Sequence, residues 1–393
     1  LGVGDFRIDS AGWSGADAMS RGAYVWDPQI YQPANGGSWS VPYQAIYFCN
    51  VVLTGIGEVA TPDSATVAAR NAVRGSALFI RALLFYYLEE TFGQPYRPAS
   101  AATDPGIPLR IGEDPTVVAP RATVRAVFDQ IDNDLKAAIP LLPVAVQVEN
   151  PNRPCRSAAF GLLARSALTQ QNYRQARQWA DSSLQLYAVL ADFNNFDSTQ
   201  SRPFPVRGNP EVLFQSSAVA YQLQVSPQSR VDSPLYASYE VNDLRRVLFF
   251  SPASGGSVYF KGHYTGLHAV FSGIATDEIF LIRAESAAEM GDAGGALSDL
   301  NTLLSRRWRK GSFQPLTASS ADAALALVIR EFRKETLFRE SRWADLRRLN
   351  QDPRFADTLK RTLGNIRLLP NSPRYTYLIP DEEIRLSGIA QNP

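Results

Sequence analysis

Apolar residues recur at helical intervals along most of this chain. Trp39, Tyr43, Ile46, Tyr47 and Asn50 fall on one face, continued by Leu53 and Ile56. The spacing predicts a helix from near Trp39, with that indole turned to the core. Ser64 stands where a cap would open a long helix running to about Phe92. The second half of that helix, ALFIRALLFYYLEETF, is apolar on nearly every side, so several neighbours must cover it. Gly93 and Pro95 stop it, and a proline-rich loop follows over roughly 95–120. Thr123 then caps a helix whose Val124, Val127, Phe128, Ile131, Leu135 and Ala138 form one stripe.

Two helical hairpins come next in the pattern. In the first, 158–187, Asn172 and Tyr173 mark the turn, and Ala164 and Ala176 stand twelve residues apart. In the second, 277–307, Gly291 to Gly295 lie near the turn, and Ala284 and Ala296 repeat that spacing of twelve. Small residues at this interval let antiparallel helices approach closely, as in tetratricopeptide repeats. Between the hairpins, from about 192 to 272, prolines interrupt the periodicity and EVLFQSS reads as a short strand. The pattern predicts a last long helix from about Asp322 to Asn350, then an irregular tail. The fold expected is mainly α: tetratricopeptide-like hairpins in a single helical body, with a loop-rich region carrying a few short strands.

Charge changes the picture by exclusion. With 39 basic and 38 acidic residues the chain offers no field for nucleic acid or an acidic membrane surface. Two histidines and two cysteines cannot build a zinc site of four protein ligands from cysteine alone or a disulfide framework. Cys49 reads as a buried thiol in AIYFCNVVL and Cys155, after a proline, as exposed; a single bridge between them stays open. No HExxH, GxSxG, GxGxxG or GxxxxGK[ST] occurs, so no metal and no organic cofactor is expected. No apolar run reaches the roughly 18 residues of a membrane span. The opening LGVGDF, without Met, reads as lying downstream of the true N-terminus.

The densest charge lies in ESRWADLRRLN, residues 340–350. Helical spacing lets Glu331 and Glu335 share a face, Glu335, Arg339 and Arg342 pair along it, and Arg342 meet Asp345. A structural salt-bridge lattice of Glu331, Glu335, Arg339, Arg342 and Asp345 is the favoured reading, over an anion clamp. The surrounding segment, IREFRKETLFRESRWADLRRLNQDPRFADTLKR, resembles the C-terminal signature of the SusD/RagB family of nutrient-binding outer-membrane lipoproteins. FKGHYTG with DEIFLIRAESAAEMGD and ALSDLNTLL resembles that family's repeat hairpin, and YTYLIPDEEIRLSGIAQNP its closing segment. SWSVPYQAIYFCNVVL with VRGSALFIRALLFYYLEETFGQP resembles its N-terminal helices. Glu340 stands where the family commonly has glycine, and Phe332 and Thr336 replace a usual arginine and leucine.

The resemblance implies an N-terminal helical region over 1–205 and a C-terminal region over 206–393, packed as one body. It implies a non-enzymatic, surface-exposed lipoprotein of the outer membrane, anchored through a lipidated cysteine upstream of residue 1. Such proteins cover a SusC-like TonB-dependent transporter and pass it glycans or, in some relatives, peptides. A glycosidase would need paired carboxylates across a cleft. Asp277 with Glu278, or Asp381 with Glu382 and Glu383, give no sequence sign of one. The alternative is a tetratricopeptide-like scaffold that binds only proteins. Sugars favour exposed rings beside polar groups. Tyr24, Trp26, Tyr31 and Asn35, in the aperiodic 22–37 stretch, and Tyr236, Tyr239 and Tyr259 are the ligand residues expected, with Trp26 first.

Overall fold

The structure is a computed structural model that describes every residue except 1, 32–36, 219–222, 224–225, 227, 362 and 393. Among the described residues it holds fourteen helices and five two-stranded antiparallel sheets. The largest core cluster draws side chains from Ala23 to Ile389, so N- and C-terminal regions share one interior.

Four short elements open the chain: strand β1 (Phe6–Arg7), helices α1 (Ser10–Ser14) and α2 (Ala18–Tyr24), then α3 (Ser40–Gly55). Trp39 is buried as its spacing predicts, but Tyr47 is exposed beside Phe48, because α3 sinks only the Ile46, Cys49 and Asn50 side. Helix α4 (Ser64–Phe92) is capped by Asp63, whose carboxylate accepts from the Thr66 amide at 2.8 Å, rather than by Ser64. A carboxylate at this end also meets the helix dipole favourably. Helix α5 (Val124–Ala138) keeps the Thr123 cap and buries the whole predicted stripe.

Helices α6 (Arg156–Thr169) and α7 (Tyr173–Leu186) form the first hairpin. After two four- and five-residue helices, α8 (Ser233–Ala237) and α9 (Arg245–Leu248), helices α10 (Thr276–Glu289) and α11 (Ala293–Ser305) form the second. Ala164, Ala176, Ala284 and Ala296 are all sealed, which is the close approach their spacing predicts. A Cβ added at Gly161 would lie 2.8 Å from Ile274 and 2.9 Å from Ile279, so the hairpins pack on each other without slack. Arg165 bridges them at 2.6 Å to Glu278. Both cysteines are buried and free. Cys155, expected at the surface, instead turns its thiol toward the Leu213 carbonyl inside the first hairpin's core.

The expected helix over 322–350 is two helices, α12 (Ala321–Glu335) and α13 (Ser341–Leu349). The break passes through Phe338 at φ 57°, a left-handed conformation uncommon for an aromatic residue. Its ring is held by stacking on Phe260, centroids 4.6 Å apart and planes within 7°. The break also redirects the charge lattice. Glu331 and Glu335 do not pair along their own helix with Arg339 and Arg342. Glu331 takes Arg245 at 2.7 Å, and Glu335 takes Arg245 at 3.0 Å and Arg307 at 2.7 Å. Arg339 forks onto Asp277 and Asp345 pairs with Arg348. Arg342 is buried without a hydrogen bond to its Nε among the described residues. Arg307 also reaches Glu211 at 2.8 Å, and Arg245 closes on Asp243 at 2.7 Å. Removing a buried charge leaves its partners uncompensated, which costs about 3–5 kcal/mol. Arg245→Ala is therefore expected to destabilise the fold by about that amount, measured by denaturant unfolding with the slope unchanged.

Burial lifts two carboxyls into the neutral range. Glu89 on α4 rises to about 8, its environment outweighing nearby Arg347, and Glu211 rises to about 7 despite Arg307. An unfolded glutamate titrates near ~4.3. Folding therefore favours the protonated form of each, and their stabilisation is lost as pH rises through 7 to 8. The melting temperature should fall between about pH 4 and pH 8 and level off above that. Glu89→Gln should flatten that slope, and an unchanged slope in the variant would contradict the assignment.

Candidate functional site

The break before α13 opens onto a cavity of about 270 Å3. It lies between the chain's first residues, the start of α3, the last turns of α4 and the 338–343 segment. One wall is aromatic. Tyr377 stacks on Trp343 at 5.6 Å and 22°, and Tyr31 meets Tyr377 edge-on at 5.8 Å. Local structure sets these rings. Trp343 sits in the first turn of α13 and is half-buried, while the Tyr377 amide donates to the Thr91 carbonyl at 3.0 Å, tying the tail to α4.

Other lining residues carry polar atoms. The Tyr87 hydroxyl donates to the Ser272 carbonyl and accepts from Arg165 at 3.0 Å. Burial pushes its phenol up to about 12, so it stays a neutral donor. Glu340 enters from the α13 N-terminus, and burial raises its carboxyl above the ordinary range. Arg339, beside it, is spent on Asp277 at 2.6 and 3.1 Å and lies over the Tyr264 ring. The Trp343 indole N–H and the Asp5 Oδ2 atom lack hydrogen-bond partners among the described residues. Asp5 Oδ1 accepts from Arg333 at 3.0 Å. Flat ring faces beside unfilled donors and acceptors can hold a polyhydroxylated ring by stacking and hydrogen bonds together.

None of the carboxylates considered for catalysis lines the cavity: Asp381 and Glu382 lie exposed in the first turn of the last helix, away from it. Asp277 is held by Arg339 and Glu278 by Arg165, both inside the core. Glu383 accepts from Arg110 and from Trp39. Among the described residues no group of three His, Cys, Asp or Glu side chains is placed to hold a metal ion.

Of the ligand residues expected from sequence, Tyr31 lines the cavity. Trp26 does not present a ring to solvent. It is 1% exposed, packs with Leu346, Leu359, Leu368 and Tyr375, and donates from its indole nitrogen to the Gly2 carbonyl at 2.8 Å. The backbone at residue 26 is left-handed, φ 58°, where the side chain is sealed inside rather than presented on a loop. Tyr24 and Tyr239 are buried in the second core cluster, where Tyr239 donates to the Lys334 carbonyl. Tyr236 is half-buried under Arg246, and Tyr259 is half-buried on strand β7 (Val258–Phe260). Asn35 lies outside the described residues. Trp343, Tyr377, Tyr87 and Glu340 were not expected at a ligand site. Their one signal in the sequence is Glu340 itself, standing where the resembled family has glycine. Trp26→Ala should cost about 3–5 kcal/mol of stability and leave ligand affinity of the folded fraction unchanged, measured by thermal unfolding beside a binding isotherm.

Comparison with known proteins adds a family match over part of the chain and a shared fold over all of it. Residues 8–168 match a SusD-like family described as starch-binding and associating with the outer membrane. No curated protein matches the chain. Among solved structures, a SusD-like carbohydrate binding protein from Bacteroides vulgatus superposes with a TM-score of 0.75 at 22% identity, covering 98% of this chain and 89% of that one. A SusD superfamily protein from Bacteroides thetaiotaomicron gives 0.78 at 20% identity, covering 100% and 94%. Surface glycan-binding protein A from Bacteroides uniformis gives 0.74 at 16% identity, covering 100% and 92%. Residues 8–168 thus match the SusD-like family model, and the chain along its whole length shares the fold of these solved structures.

Proposed function

We propose that this protein is a non-catalytic glycan receptor of the outer-membrane surface, delivering its ligand to a SusC-like TonB-dependent transporter. The observation that carries the reading is the family match over 8–168 joined to a cavity walled by Tyr31, Trp343 and Tyr377. Two of the similar structures are a carbohydrate binding protein and a surface glycan-binding protein, which supports the ligand class. The family description supports outer-membrane association. No helix among the described residues is long and apolar enough to cross a membrane, so the reading relies on a lipid anchor for attachment.

Binding by stacking and hydrogen bonds needs no nucleophile and no proton transfer. Rings in contact with Trp343 and Tyr377 would lose water from both faces, and hydroxyls would meet the Tyr87 and Glu340 side. The scaffold reading has one observation in its favour, the exposed Val41, Tyr47, Phe48 and Val51 along α3. A protein-only scaffold, however, gives no use to the aromatic-walled cavity.

The test is a binding isotherm of the full-length protein against starch-derived oligosaccharides and a panel of other glycans. Trp343→Ala should weaken binding about tenfold, roughly 1.4 kcal/mol, with the melting temperature held within a few degrees. Co-purification of a TonB-dependent transporter from membranes checks the partner. Saturable capture of that transporter with no glycan binding at any concentration would favour the scaffold.

A further inference from the structure

We infer that the cavity selects glycans carrying a short hydrocarbon substituent, an alkyl, acyl or aryl group, over the same glycan without it. The inference rests on the glycan-receptor reading and names the ligand class for that same cavity.

The cavity opens where the three apolar clusters of the molecule meet. Leu88 belongs to the largest cluster, Phe6 and Phe338 to the second, and Val3 packs on the third; all four line the cavity. Helix α3 adds Val41 and Ala45. Several polar groups on the same lining are already engaged. The Tyr87 hydroxyl is held between Ser272 and Arg165, the Arg339 guanidinium is forked onto Asp277, and the Thr91 hydroxyl donates to the Tyr87 carbonyl at 2.8 Å. A sugar hydroxyl carried in against hydrocarbon gives up its water with nothing to replace it. A methylene in the same place gains by leaving water. What this lining rewards is therefore the apolar group a glycan carries.

Size points the same way. The volume is about 270 Å3, below the roughly 300–1,000 Å3 of ligand pockets, so a whole oligosaccharide does not fit. An apolar protein cavity of roughly 150 Å3 accepts a benzene ring. The larger space here takes a substituted ring or an alkyl chain of several carbons. The sugar that bears the group then stacks on the Trp343 and Tyr377 faces, and the exposed Ser217 is open to its hydroxyls.

The experiment titrates the full-length protein by calorimetry at pH 7 with glucose, with methyl, propyl, butyl and hexyl β-glucosides below their micelle concentrations, and with hexanol. Affinity is expected to rise with chain length by about threefold to fourfold per methylene, with hexanol weaker than hexyl glucoside. Ala45→Phe puts a ring into the cavity from α3, and thermal melting shows whether that variant is folded. Val41→Asp, at an exposed position of the lining, sets a charge beside the cavity with less demand on packing. In either folded variant the gain per methylene should flatten. Affinity independent of chain length in the parent protein, a gain that survives in a folded variant, or hexanol binding as tightly as hexyl glucoside overturns the inference and leaves the glycan-receptor reading to its own glycan panel. Failure of every glycan in that panel, with Trp343→Ala indistinguishable from the parent protein, overturns the reading beneath it.

Discussion

Arg307 meets Glu335 at 2.7 Å and Glu211 at 2.8 Å with all three side chains sealed from solvent, and Arg245 holds Glu335 from the other side. Glu335 ends α12, Arg307 follows α11, and Glu211 and Arg245 belong to the irregular region between the hairpins. One set of charges therefore fastens the regular part of the molecule to its loops. Apolar packing alone would let such loops slide, since it is non-directional. Forked guanidinium–carboxylate contacts fix both distance and plane. The desolvation of so many charges is large, and the packing of the helical hairpins must offset it.

That division of labour explains what could be read from the sequence. The α5 stripe and the paired alanines at 164 and 176, and at 284 and 296, act between residues close in sequence or on one helix face, so periodicity exposes them. The charge partners do not. Arg245 lies 86 residues from Glu331 and 90 from Glu335, and Arg307 lies 96 from Glu211. Helical spacing suggested local pairs for Glu335, Arg339 and Arg342 because local pairs are all that spacing can see. Glu331, Glu335, Arg339 and Asp345 do form buried ion pairs, but with partners other than those the spacing suggests, and Arg342 forms none among the described residues.

The candidate site was less legible for a related reason. Its walls come from segments as far apart as Gly2 and Tyr377. Aromatic residues outside regular helices were read as exposed platforms, and Trp26, Tyr24 and Tyr239 show the flaw in that rule. Loops in this protein cover two further apolar clusters, and their rings fill them. Trp343 reads from sequence as a core or helix-contact ring because it stands in a helix, although a helix start beside a break between helices is where a large side chain can remain half open.

The stacked pair of Phe338 and Phe260 joins two places that otherwise have no direct business with each other. Phe338 borders the cavity two residues before Glu340, while Phe260 ends a strand of the small hairpin formed by Phe250–Pro252 and Val258–Phe260, and is not among the residues lining the cavity. A change in how that hairpin seats would shift the Phe338 ring and, through the short stretch after it, the carboxylate that follows. Ligand preference in this protein can thus drift over generations through substitutions in a peripheral hairpin, with every residue that touches the ligand left as it was.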